Sequence, residues 1–307
     1  MYLKFFGFKE LPFSLTPDTS YFYAYHSHQN ALNTLLVALH NSEGFIKIVG
    51  EVGTGKTLLG RLLLKKLHSS RFVTAYIPNP HLSPDELKLT LAQEIGVPDC
   101  TQIPHFQLLG HISRRLIELA VQKKRVVLVL DEAQTMPRET IESLRLLTNL
   151  ETEKRKLLQV VMLGQPELDE LLARKDLRQL KQRIVFSETL KPLGFSALRA
   201  YVRFRLRAAN PTATNLFDGR ALLMLFFASG GVPRLVNLLA HKSLWAAYGR
   251  NQMRVAWQDV QTAVQDTPEA QRLARWFCGG NALKYWLTYS AAAVSGALVH
   301  WLGYSIY

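Results

Sequence analysis

The residues best able to do chemistry form one loop, Gly50-Glu51-Val52-Gly53-Thr54-Gly55-Lys56-Thr57, followed by Leu58. The spacing is G-x-x-x-x-G-K-T. Glycines at these positions let successive backbone N–H groups turn inward around phosphate oxygens, and a helix starting at the loop's end adds a partial positive charge. Lys56 is expected to reach the β- and γ-phosphates of ATP, and Thr57 to bind Mg²⁺ through its hydroxyl. The flanks have the required order. Residues 45–49 are a short run, apolar but for Lys47, that suits a buried strand by length and flanks, and residues 58–67 carry helix formers.

A second chemical pair, Asp131-Glu132, closes the wholly apolar run 126–130. Ligand sites of parallel sheets lie at the carboxyl ends of strands, so both carboxylates should face the phosphates. Asp131 suits Mg²⁺ through its water shell, and Glu132 is placed to polarise an attacking water. Gln165 follows another apolar run, 158–163. It either orients water near the γ-phosphate or bonds the loop backbone. Arg234, in Gly231-Val232-Pro233-Arg234, opens a helix further on. It either folds over the bound phosphates and reports loss of the γ-phosphate, or is a surface arginine in a helix first turn.

The elements that must position these residues alternate. Strand patterns at 45–49, 72–77, 126–130 and 158–163 are separated by helix starts at Ser83-Pro84-Asp85-Glu86 and Pro137-Arg138-Glu139. Repeated strand–helix units predict a parallel sheet covered by helices on both faces. Before it runs an aromatic lead-in, Phe5-Phe6-Gly7-Phe8 to Tyr21-Phe22-Tyr23, and a helix with Ala31, Leu32, Leu35, Leu36 and Leu39 on one face. After Pro192 the pattern becomes helical only, over 198–209, 217–229, 235–248 and 257–264. The expected organisation is a P-loop domain over 1–192, a small all-α lid over 193–268, and a linker with an apolar C-terminal helix over 269–307.

Composition narrows the partners. The 307 residues carry a formal net charge of +13, which attracts polyanions in general. The basic residues fall in short groups such as Lys123-Lys124-Arg125 and Lys154-Arg155-Lys156, so solvated faces and a nucleic-acid surface both remain open. Cys100 and Cys278 are far apart and outside any metal-ligand spacing, which argues against zinc and a disulfide scaffold. No signal-peptide pattern is expected at the start, because Lys4, Lys9 and Glu10 interrupt the apolar residues.

Together these motifs resemble an AAA+ ATPase: the loop at 50–57, Leu128-Val129-Leu130-Asp131-Glu132-Ala133-Gln134, Gly164-Gln165-Pro166-Glu167-Leu168, and Gly231-Val232-Pro233-Arg234. The opening Phe6-Gly7-Phe8-Lys9-Glu10-Leu11-Pro12-Phe13-Ser14-Leu15-Thr16-Pro17-Asp18 is similar to the ExeA/GspA branch, ATPases of bacterial secretion and pilus machinery, nearest to members serving the mannose-sensitive haemagglutinin (MSHA) type IV pilus. The resemblance implies an AAA+ fold, ATP hydrolysis with Mg²⁺, self-association into an oligomer, and pilus or secretion assembly proteins as partners. It puts Gln165 at the sensor-1 position, Arg234 at the sensor-2 position, and residues 12–17 and 21–23 near the adenine. It makes Arg183 the first choice for an arginine supplied in trans, with Arg178 second; an isolated arginine there could equally form a local ion pair. Family members continue past a membrane helix into a periplasmic peptidoglycan-binding region, and no such role is expected here.

Residues 285–307 contain no Lys, Arg, Asp or Glu and would span about 35 Å as a helix, enough for a hydrocarbon core of about 30 Å. Arg272, Arg275 and Lys284 flank only the N-terminal side, which would orient the ATPase to the cytoplasm at an inner membrane; the alternative is a hairpin-like apolar tail docked on a partner. The rival is a nucleic-acid-handling ATPase of the transposition or initiator type. Against it, no winged-helix or helix-turn-helix pattern follows Asp266, so nucleic acid is not the expected partner.

Overall fold

The computed structural model describes residues 1–271 except 17, 18, 24, 69, 70, 153, 154, 213 and 214. These residues form two compact units: Thr16–Lys191, and Met1–Leu15 together with the described residues from Pro192 onward.

The larger unit is built on strands β1 (Phe45–Gly50), β2 (Phe72–Ile77), β3 (Arg125–Leu130), β6 (Leu158–Gly164) and β7 (Ile184–Leu190). They lie in the order β2-β3-β6-β1-β7, and every neighbouring pair is parallel. A two-residue antiparallel pair, β4 (Glu151–Thr152) and β5 (Arg155–Lys156), stands apart. β3 from Val126 and β6 from Val160 read as apolar runs because both faces are covered. Alternate side chains separate the two cores. Phe45, Val49, Val126, Leu128, Leu130, Val160 and Met162 face helices α4 (Pro84–Glu94), α5 (His105–Val121) and α6 (Arg138–Leu147). Ile46, Ile48, Val127, Val129, Val161 and Leu163 face α2 (His26–His40) and α3 (Lys56–Leu67). The period of two makes this division inevitable once both faces carry helices.

α4 begins as its sequence indicates, with Ser83 and Glu86 in a reciprocal capping box. α5 is a helix that the strand-and-cap reading does not single out. Its inner face is Leu108, Ile112, Leu116 and Leu119, all buried at helical spacing, and each buried leucine contributes about 2 kcal/mol. Short helices α7 (Glu167–Leu172) and α8 (Arg178–Lys181) lead into β7.

The smaller unit holds α1 (Tyr2–Phe5), α9 (Phe195–Ala209), α10 (Gly219–Ser229), α11 (Pro233–Gly249) and α12 (Trp257–Gln265). α10 starts after Phe217 because Asp218 caps it, accepting from the Ala221 N–H at 2.6 Å, and it stops at Gly230 in the left-handed region, φ 56°. The first fifteen residues pack here, not with the 1–192 stretch that the sequence groups them in. Tyr2 stacks edge-on to His241 and Trp245 of α11, and its hydroxyl lies 3.0 Å from His241 Nδ1. Burial pushes the Tyr2 phenol up to about 12. Arg205 of α9, itself buried, donates to the carbonyls of Pro12 at 2.7 Å and Ser14 at 3.0 Å. A guanidinium that holds two backbone carbonyls ties the lead-in down more firmly than apolar contact alone.

Among the described residues no helix is long and apolar enough to cross a membrane. Residues 285–307, with Cys278, Arg272, Arg275 and Lys284, lie outside the described residues.

Candidate functional site

The loop leaves the carboxyl end of β1 at Gly50 and enters α3 at Lys56. Gly53 and Gly55 take φ 81° and 101°, which side chains rarely tolerate. At Gly50 a Cβ would meet Thr54 Oγ1 at 2.7 Å, so only glycine lets the loop fold back this tightly. Thr54 is fully buried and closes the turn, its hydroxyl donating to the Glu51 carbonyl at 2.8 Å. Lys56 Nζ donates to the carbonyls of Gly50 at 2.7 Å and Glu51 at 3.1 Å. Burial lowers the Lys56 pKa, and the carboxylates of Glu132, Asp131, Glu51 and Glu167 pull the other way.

Sheet order brings the acidic pair close. β6 lies between β3 and β1, with Val49 opposite Gly164 and Leu130 opposite Met162, so Gln165 emerges between the loop and Asp131-Glu132. Asp131 is buried, accepting from the Glu132 N–H at 3.0 Å and from the Tyr76 hydroxyl at 3.4 Å. Glu132 sits in the left-handed region, φ 51° and ψ 40°, an uncommon conformation for a non-glycine residue. That turn aims its carboxylate across the sheet edge. Glu132 Oε2 accepts from Gln165 Nε2 at 3.0 Å and from Gln134 Nε2 at 2.7 Å. Gln134 also accepts the Gln165 N–H at 3.0 Å through Oε1. Burial raises the Glu132 pKa; the two amide bonds and the charge of Lys56 outweigh it and hold the carboxyl below its usual value. A carboxylate held ionised beside an ammonium is what activation of a water for attack on a phosphate requires.

Of the two alternatives for Gln165, its side chain bonds the Glu132 carboxylate and not the loop backbone. Gln134 joins this group although sequence reading gave it no separate role. It lies two residues from Glu132 but thirty-one from Gln165, and only the β3–β6 pairing brings the three together. His28 is a second addition. From the first turn of α2 it donates through Nε2 to the Thr54 carbonyl at 2.7 Å.

Other expected residues lie elsewhere. Arg183 precedes β7 at the end of the sheet opposite the loop, since Ile184 is level with Phe45 and Leu190 with Gly50. Its guanidinium donates to Asn149 Oδ1, so within this chain it is no part of the phosphate site. Arg178 is exposed at the start of α8. Arg234 is exposed in the first turn of α11, in the smaller unit. Of the lead-in residues expected near a base, Pro12 belongs to the smaller unit, residues 21–23 to the larger, and Pro17 lies outside the described residues.

The residues fit ATP with Mg²⁺. Gly50 and Gly55 let the loop close against Thr54, Leu190 and His28, where a Cβ would clash. Among the described residues no cluster of three His, Cys, Asp or Glu could hold a metal ion.

Residues 39–172 match the family described as AAA domain. The chain is 39% identical over 279 residues to the General secretion pathway protein A of Aeromonas hydrophila, covering 91% of this chain and 51% of the relative. It thus spans about half the length of that relative. Among solved structures, the ORC1 protein of Aeropyrum pernix in complex with DNA superposes with a TM-score of 0.62 at 21% identity, over 84% of this chain and 69% of that one. Cdc6p of Pyrobaculum aerophilum superposes with a TM-score of 0.61 at 20% identity, over 81% of this chain and 71% of that one. These structural likenesses show a shared fold.

Proposed function

We propose, on the premise that residues 39–172 are an AAA domain, that this chain hydrolyses ATP and serves the assembly of a secretion or type IV pilus complex. The observation that carries the hydrolysis is the Glu132 carboxylate held by Gln134 and Gln165 within electrostatic reach of Lys56. Lys56 and the loop N–H groups bind the β- and γ-phosphates. Thr57 and Asp131 would hold Mg²⁺, which when bound would supply neutralisation of phosphate charge. Glu132 takes a proton from the attacking water as its oxygen closes on the γ-phosphorus, and Gln165 fixes the orientation of that carboxylate. Products are ADP and phosphate.

The secretion role rests on the 39% identity to General secretion pathway protein A. The finer reading is an MSHA-like type IV pilus, self-association with Arg183, or else Arg178, reaching the site of a neighbouring copy, and Arg234 sensing the γ-phosphate. An inner-membrane position is supported by the apolar composition of residues 285–307. The likeness to a DNA-bound ORC1 protein is one of fold at 21% identity and brings no nucleic-acid partner with it. The deciding experiment measures phosphate release by the purified chain and its Lys56→Ala and Glu132→Gln variants. ATP-dependent turnover lost in both supports the proposal; turnover untouched in both overturns it.

A further inference from the structure

Helix α9 carries four arginines and no carboxylate. Arg205 is buried and directs its guanidinium to the lead-in carbonyls. The other three, Arg199, Arg203 and Arg207, are exposed and follow one another at four-residue spacing along one side of the helix. Successive charges lie about 6 Å apart along the axis. None of the three makes an ion pair among the described residues. Three carboxylates of the smaller unit are engaged elsewhere: Asp218 caps α10, Asp259 pairs with Arg250, and Asp266 pairs with Lys242. Like charges at this spacing repel and weaken a helix, so a row left uncompensated within the chain is a surface offered to an anionic partner.

Phe195 heads the same helix, four residues before Arg199. It is 39% exposed, and its ring meets Phe226 edge-on at 5.7 Å between centroids. An exposed aromatic beside a row of guanidinium groups suits a membrane surface, where arginine binds phosphate and the ring enters the interface. Position along the chain favours this partner over nucleic acid. The smaller unit continues from Gln271 toward the apolar stretch 285–307, and Gln271 to Tyr285 covers at most about 50 Å even when fully extended. A bilayer holding that stretch would hold the smaller unit close to its headgroups.

We infer that α9 is a headgroup-binding face: Arg199, Arg203 and Arg207 bind the phosphates of anionic lipids in the membrane that holds residues 285–307. This rests on the inner-membrane reading above and deepens it, since it sets which side of the smaller unit meets the lipid.

The test is flotation of the full chain with vesicles of phosphatidylcholine alone and of phosphatidylcholine with about one third phosphatidylglycerol. Binding to the neutral vesicles reports residues 285–307. Binding to the anionic ones should be about a hundredfold tighter at low salt, and that surplus should collapse at about 0.5 M salt. Each of Arg199→Gln, Arg203→Gln and Arg207→Gln should reduce the surplus about threefold to fivefold, and the triple variant about thirtyfold or more, with neutral-vesicle binding unchanged. The triple variant should melt no lower than the unsubstituted chain, because repulsion is relieved, so the lost surplus is a lost contact and not a lost fold. A surplus that survives the triple variant but falls when Arg272, Arg275 and Lys284 are replaced by glutamine overturns the inference. So does a triple variant that loses binding to duplex DNA and keeps the vesicle surplus, which would give the row to nucleic acid. Equal binding to both vesicle types overturns the inference alone; binding to neither overturns the membrane reading with it.

Discussion

The side chain of Gln165 donates to Glu132 at 3.0 Å, joining two residues thirty-three positions apart. This bond stands between the end of β6 and the turn after β3. Its removal should slow chemistry without weakening substrate binding. Gln165→Ala is expected to lower kcat about tenfold to a hundredfold with the ATP Kd within about twofold, measured by phosphate release and by equilibrium titration.

Gln134 offers a sharper prediction, since it holds both Glu132 and the Gln165 backbone. Gln134→Leu should cost kcat about tenfold, and adding Gln165→Ala should cost less than the product of the single effects. Residues that act through one carboxylate are not additive. Fully independent losses would separate Gln134 from the site.

Lys56→Ala should abolish the thermal stabilisation given by ATP. Saturating nucleotide at a hundred times Kd is worth about 2.7 kcal/mol to a folded protein that binds it. The comparison is a melting curve with and without ATP, for both proteins. A substituted chain that still gains melting temperature with ATP would contradict the prediction.

Two glycines should behave oppositely. Gly231 has φ 73°, and a Cβ there would lie 2.1 Å from the Leu193 carbonyl oxygen, while its own carbonyl accepts the Leu193 N–H at 2.8 Å. Gly231→Ala should destabilise the smaller unit by about 3 kcal/mol. Gly110, inside α5, has nothing within 4 Å of a built Cβ, so Gly110→Ala should stabilise by up to about 1 kcal/mol. Denaturant melts of the two variants test the pair.

His28 and His241 both have folded pKa values held below 6.5 by burial. The unfolded chain therefore binds protons in the window just below 6.5 that the folded chain does not, and stability rises with pH there. Their contribution is complete above 6.5 and is lost as pH falls from 6.5 through the folded values, at no more than about 1.4 kcal/mol per pH unit for each. His28→Gln should flatten the acid side of a stability-against-pH curve; an unaltered slope would show that His28 carries none of it.

The sheet was largely legible because apolar runs at 126–130 and 158–163 have one structural solution when both faces are covered. The loop was legible because its chemistry is local. α5 went unnoticed beside stronger capping and glycine signals, although Leu108, Ile112, Leu116 and Leu119 carry the helical period. The Glu132–Gln134–Gln165 group depends on strand order, which a linear pattern does not encode. The docking of Tyr2 and Phe6 onto a unit that begins at Pro192 likewise depends on contacts more than two hundred residues distant.

That last arrangement has a consequence for biosynthesis. Residues 1–15 are translated before the sheet unit, yet the helices that receive Tyr2 and the carbonyls of Pro12 and Ser14 are translated only after that unit has emerged. The larger unit can close on its own while a short aromatic tail waits, exposed and sticky, for its acceptor surface. A chaperone that shields this aromatic segment would therefore matter most while the helices from Pro192 onward are being made.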